Sequence, residues 1–198
     1  MVVMMNCAAG APTDLPTEAP SGEWYEGTTD LLSESPVWKS LLDATHQHKQ
    51  EFDNEFAASI AYLHLDNFNI VSFPEDCQNT SINMEGCLRR LVHGLLVYQF
   101  LLKHVEREYP NSEVLPNIKY FCSLLISATR QKMRKPDAIN PLSRGQEDSL
   151  LKEVQHPDTF HRKMIAHNIL RKLHEFLRDT QVNIKRRERR PGYISLVV

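Results

Sequence analysis

The sequence predicts an all-α protein: a long-chain, up-up-down-down four-helix bundle with two long crossover loops. Three observations predict it. Four long segments place apolar residues three and four apart, and no segment series alternates with the period of β-strands. The connections between the four run long, short, long. A short link makes its two helices antiparallel neighbours, whereas a long one lets the chain travel the length of the bundle before the next helix begins. Single amphipathic helices leave their stripes in water, so the four are expected to pack together.

The chain has 198 residues, 41% of them hydrophobic and 24% charged, which suits one soluble globular domain with tails. Its net charge of −2 offers no global attraction to nucleic acid or to a membrane. No segment approaches the ~18–20 consecutive apolar residues of a membrane span. The division expected is 1–33 as signal remnant and flexible arm, 34–188 as the helical domain, and 189–198 as a basic and apolar tail. The opening MVVMMNCAAGAPTDLP reads as the end of a secretory h-region with small residues at a cleavage position, although a positive n-region is missing. An ordinary hydrophobic N-terminus is the other reading. Residues 8–33 are rich in Pro, Thr, Glu, Ser and Gly without periodicity and read as flexible.

The first helix is expected from about residue 36 to 57. Ser35 is a capping residue, Pro36 suits the first helical position, and Trp38, Leu41, Thr45, His48, Phe52 and Phe56 form the stripe. HLDNFNIVSFPEDC breaks the period and reads as a connection. The second helix starts after Ser81 or Asn83, carries Leu88, Leu91, Leu95, Tyr98, Leu102 and Val105, and ends before Pro110. The third is expected over about 112–135, with Ile118, Cys122, Leu125 and Thr129 inward. A second connection, KPDAINPLSRGQED, leads through a short amphipathic piece, SLLKEV. The last helix is expected from about Pro157 to 187, with Phe160, Met164, Ile169, Leu173, Phe176 and Leu177 on its inner face.

The four cysteines are too few, and the chain too long, for a small disulfide scaffold. Cys7 falls in the N-terminal segment and Cys122 on a core stripe, where it reads as a small buried hydrophobe. Cys77 and Cys87 remain as a pair, either bonded or as two thiols. Asn79-Thr80-Ser81 between them is an N-glycosylation sequon, which requires exposure and a secretory route.

The run Cys77, nine residues, Cys87, six residues, Gly94-Leu95, two residues, Tyr98, three residues, Leu102 resembles the signature shared by interleukin-6 and granulocyte colony-stimulating factor. KMIAHNILRKLHEFLRD, Lys163–Asp179, is similar to the last helix of the interleukin-6 type, as are Asp137-Ala138-Ile139, Ser149-Leu150-Leu151 and Leu41-Leu42-Asp43. The resemblance covers about residues 35–187. A granulocyte colony-stimulating factor-like cytokine shares the cysteine signature but not the last-helix match. The chain departs from the mammalian pattern in lacking a second cysteine pair at the end of the first helix and in carrying a basic C-terminal extension.

The resemblance implies a secreted, non-enzymatic cytokine without a cofactor, monomeric before receptor assembly, that engages receptors through three surfaces and activates kinases and STAT factors in immune and acute-phase responses. It implies that Cys77 and Cys87 are bonded; a loop of about ten residues closed in this way contributes roughly 2–3 kcal/mol. The first surface, for a specific α receptor, maps onto Gln78, Ile82, Arg178, Val182 and Lys185. Two family aromatics are Gln78 and Ile82 here, and two family arginines are Val182 and Lys185, so recognition is expected to be rewired. The second surface, for a shared signal-transducing chain, maps onto Ser40 and Ala44 with Phe121 and Leu124. The third, for another copy of that chain, maps onto Phe160 at the start of the last helix, where a plug closing the bundle is the competing role. Arg171 receives no site.

Two other functions are disfavoured. A metal enzyme would use some of the nine histidines, among them His46, His48, His161, His167 and His174, but no His-Glu-x-x-His occurs. The one Glu-x-x-His, Glu153 to His156, lacks the second copy that metal-binding bundles use. His167 and His174, seven apart, are expected on one exposed or half-buried face. KRRERR, Lys185–Arg190, is a basic run of the kind that binds nucleic acid, but it reads more simply as a solvated helix end suiting the macrodipole.

Overall fold

The computed structural model describes residues 31–56, 60–78 and 82–189. Five α-helices follow in order: α1 Pro36–Phe56, α2 Met84–Glu108, α3 Leu115–Gln131, α4 Arg144–Val154 and α5 Thr159–Glu188. Short 3-10 segments lie at Leu32–Glu34, Tyr62–Phe68 and Pro136–Ala138, and there is no strand among the described residues. Local chemistry sets the helix starts. Ser35 Oγ accepts from Trp38 N, Asn83 Oδ1 from Gly86 N, and Asp158 Oδ2 from His161 N. Ser143 and Gln146 form a reciprocal capping box on α4. The third helix is shorter than expected because Pro136 disfavours helical geometry at Lys135, and the chain unwinds after Gln131.

The predicted stripes form the core: Trp38, Leu41, Thr45, His48 and Phe52 in α1, all six positions in α2, and all four in α3 are buried, while Phe56 at the end of α1 is half-buried. Phe160 is the exception in α5, being 45% exposed at the helix tip. Cys122 is buried and unbonded, as a small hydrophobe in the α3 stripe, and burial pushes its thiol up to about 12.

α1 and α2 each pack against α3 and α5, so α1 lies diagonally across the bundle from α2, and α3 from α5. Side-chain contacts give the directions. Gln181 reaches Ser33 O at one end while Lys163 pairs with Glu55 at the other, so α5 runs against α1. Gln99 meets Ser123 and Glu106 meets Lys119, so α3 runs against α2. Arg187 meets Ile82 and Arg162 meets Glu108, so α5 also runs against α2. α1 and α2 are therefore parallel, and the topology is up-up-down-down.

The last turn of α5 differs from the expected solvated end. Arg187 is buried, donating from Nε to Ile82 O (3.2 Å), from Nη2 to Cys77 O (3.0 Å) and from Nη1 to Asn183 O (2.8 Å). Its neighbour Glu188 is also buried and accepts from Leu32 N (2.9 Å) and the Ser33 hydroxyl (2.5 Å). Two adjacent charged residues thus clamp chain segments from opposite sides. The apparent basic run misled because polarity alone does not report a partner more than a hundred residues away.

At the other end of the bundle Phe52, Leu65 and Met164 make a second, smaller core. Buried His48 accepts the Tyr62 hydroxyl at Nε2 (2.6 Å) and donates from Nδ1 to Thr45 O. His167 is buried as well, not half-exposed, and packs edge-on to Phe52. Arg171 is buried too and pairs with Asp66, while Asn168 donates to Phe68 O and Asn69 Oδ1. These contacts hold the 3-10 segment against α5.

Three expectations follow. A Cβ at Gly94 would sit 2.4 Å from Phe176 Cζ, and Phe176 is itself packed on Tyr98 (5.5 Å). Gly94→Ala is expected to lower stability by about 1–2 kcal/mol in urea unfolding despite alanine's better helix propensity, and Phe176→Leu in that background to recover part of the loss. Arg187→Met orphans buried carbonyls and is expected to cost about 2–4 kcal/mol by the same measurement. Burial pushes the His48 imidazole down to about 4, so it stays neutral in the fold while the unfolded chain takes up a proton near the ordinary value of 6.5. Stability is then complete above about pH 6.5 and falls as pH drops toward about 4, by on the order of 3 kcal/mol. Burial lowers His104 and His167 in the same direction. Urea midpoints at about pH 7 and about pH 4.5 should show this loss, and His48→Gln should flatten it.

Candidate interaction surfaces

Cys77 and Cys87 form a disulfide, with Cα atoms 5.2 Å apart. It joins the end of the first crossover to the first turn of α2, and Arg187 crosses the mouth of the loop by holding Cys77 O and Ile82 O. Asn79, Thr80 and Ser81 lie outside the described residues, as do Cys7 and the rest of residues 1–30. Gln78 is exposed and Ile82 half-buried.

Arg178, Val182 and Lys185 fall three and four residues apart on one outward stripe of α5, continued by Arg189. Val182 is 44% exposed. Beside it, Arg178 pairs with Asp179 (2.9 Å), and Lys185 pairs with Glu34 (2.9 Å). Asn183 and Arg187 lie on the side toward the disulfide loop, whereas Gln181, Lys185 and Glu188 face Leu32–Glu34. The residues proposed for the first surface are therefore brought to one end of the molecule, with a third segment beside them that sequence reasoning did not include. Leu32 and Ser33, the last residues of the expected arm, are buried there.

On the α1/α3 side, Ser40, Phe121 and Leu124 are half-buried. Ala44 corrects the sequence placement: it is only 6% exposed, because it lies three residues from Leu41 and next to Thr45, at the edge of the buried stripe. Tyr120, 59% exposed, makes an edge contact with Phe121 at 5.3 Å. It was missed because only Phe121 and Leu124 matched the family positions, yet an aromatic off the core stripe was a legible signal.

At the opposite end, Phe160 makes edge-on contacts with Phe56 (6.2 Å) and Phe68 (6.3 Å) while nearly half its surface stays open. The aromatic is thus held from one side and presented on the other. One turn on, Lys163 pairs with Glu55 (2.5 Å), which also accepts from the Tyr109 hydroxyl (2.6 Å) and contacts His167 Nε2 (3.3 Å). Burial pushes the Glu55 carboxyl up, but the three hydrogen bonds outweigh it and hold it below the ordinary range.

Among the described residues, no three His, Cys, Asp or Glu side chains gather as metal ligands, and no helix is long and apolar enough to cross a membrane. Glu153 accepts from Ser72 N (3.0 Å) and the Ser72 hydroxyl, so the lone Glu-x-x-His ties the first crossover to α4.

Comparison with known proteins agrees with this geometry. The model of the Interleukin-6/G-CSF/MGF family matches residues 33–187. The chain is 44% identical to interleukin-6 of Paralichthys olivaceus over 193 residues, covering 95% of this chain and 84% of that one. It is 40% identical to interleukin-6 of Takifugu rubripes (94% and 84% covered) and 28% identical to that of Delphinapterus leucas (83% and 86% covered). With its all-helical bundle and the Cys77–Cys87 disulfide, the chain belongs to the Interleukin-6/G-CSF/MGF family of non-enzymatic helical cytokines.

Proposed function

We propose that the protein is a secreted interleukin-6-like cytokine. It binds a specific α receptor and assembles two copies of a shared signal-transducing chain, which activates JAK kinases and STAT factors. The observation that carries this reading is the outward α5 stripe around Val182, held beside the disulfide loop by Arg187. An exposed apolar side chain flanked by charged pairs has the make-up of a contact centre with a polar rim. Gln78, Ile82, Arg178, Val182 and Lys185 form the α-receptor surface. Ser40, Phe121 and Leu124 serve the first copy of the signalling chain, and Phe160 the second. Glycosylation at Asn79 belongs to the same secreted reading.

STAT phosphorylation in cells of the source species bearing the α receptor tests the proposal. The parent protein is expected to trigger it. Val182→Asp should weaken α-receptor binding about tenfold or more, because it places a charge at the apolar centre. Phe160→Ala should leave that binding intact and reduce phosphorylation. Absence of any response to the parent protein would overturn the assignment, whereas an undiminished response to Phe160→Ala would remove only the third surface.

A further inference from the structure

The Leu32–Glu34 turn is docked on α5 by four side-chain contacts. Glu188 accepts from Leu32 N and the Ser33 hydroxyl, Gln181 donates to Ser33 O (2.7 Å), and Lys185 pairs with Glu34. Glu34 itself remains 50% exposed, beside the outward stripe. Its two ion pairs, with Lys185 Nζ at 2.9 Å and Arg189 Nη2 at 3.8 Å, fall on the same oxygen, Oε1. The carboxylate is thus oriented by two cations, and half of the side chain stays open to an outside donor.

The three cations of the stripe meet two carboxylates. Arg178 is matched by Asp179, and Lys185 and Arg189 share Glu34, so cations alone do not define this surface. Where the family pattern has an arginine, Lys185 supplies a single compact ammonium, and here that ammonium is already engaged.

We propose that Glu34 is a specificity-determining residue of the α-receptor surface, with Lys185 and Arg189 positioning its carboxylate to receive an N–H donor from a cationic receptor side chain. The inference rests on the proposed function above. The complementary receptor patch is an apolar hollow for Val182 with a lysine or arginine at its edge. The hydrogen bond and charge of Lys185 hold the Glu34 carboxyl below its ordinary range, so it is ionised at neutral pH.

Surface plasmon resonance of the full chain against the α-receptor ectodomain tests this, with thermal unfolding as the control for folding. Glu34→Gln keeps the shape and removes the charge; it is expected to weaken binding about three- to tenfold and to leave the melting temperature within a degree or two. Lys185→Ala should weaken binding less, and the double variant should fall short of the product of the two losses, since both act through one carboxylate. The salt dependence of binding should become shallower in Glu34→Gln. Unchanged or tighter binding of Glu34→Gln, or strictly multiplicative losses, would overturn the role of Glu34. Failure of the parent protein to bind the receptor, or full binding by Val182→Asp, would instead overturn the reading of the surface itself.

Discussion

One buried guanidinium organises the end of the bundle proposed to meet the α receptor. Removing a cation from water costs several kcal/mol unless its N–H groups find acceptors, and Arg187 finds three main-chain carbonyls. Two of these, on Cys77 and Ile82, belong to the crossover, and the third is in α5 itself. The disulfide keeps the crossover short where Arg187 crosses it, so a single side chain spans the loop's mouth. Glu188, one residue on, does the reverse: an anion accepts from Leu32 and Ser33 on the opposite flank. Because consecutive helical residues point about 100° apart, one turn of α5 grips two segments and leaves the stripe between them outward.

The other end of the molecule is held by different means. There the 3-10 segment Tyr62–Phe68 has a single buried apolar residue, Leu65, and depends on side-chain hydrogen bonds for the rest. Arg171 and Asn168 reach it from α5, and His48 from α1. A neutral imidazole is central to this end and a permanent cation to the other. Burial disfavours the protonated form of His48 and His167 at this end, whereas Arg187 at the other keeps its charge in acid.

Much of this architecture was legible in the chain. The stripes in α1, α2 and α3 mark positions that are buried, the capping residues Ser35 and Asn83 mark helix starts, and Pro110 marks the end of α2. Gly94, one of the signature residues, admits the ring of Phe176 between α2 and α5. What misread was of two kinds. Ala44 and Phe160 lie at the margins of stripes, where a small rotation or a helix tip decides exposure. Arg187 and Glu188 are polar residues at a helix end and so read as solvated, and Arg171 received no site, but each meets a segment distant in the chain.

The sequence by itself determined the helices, their inward faces, the lengths of the links and the disulfide-bearing signature. These are local properties, set by a period of 3.6 residues, by caps and by prolines. Only the tertiary structure decided which charges are buried, which end of α5 holds the crossover, and that Glu34 joins Val182 and Lys185 on one surface. The reason is physical: a buried ion is tolerable only beside its partner, and the partner's position is fixed by the packing of the whole bundle.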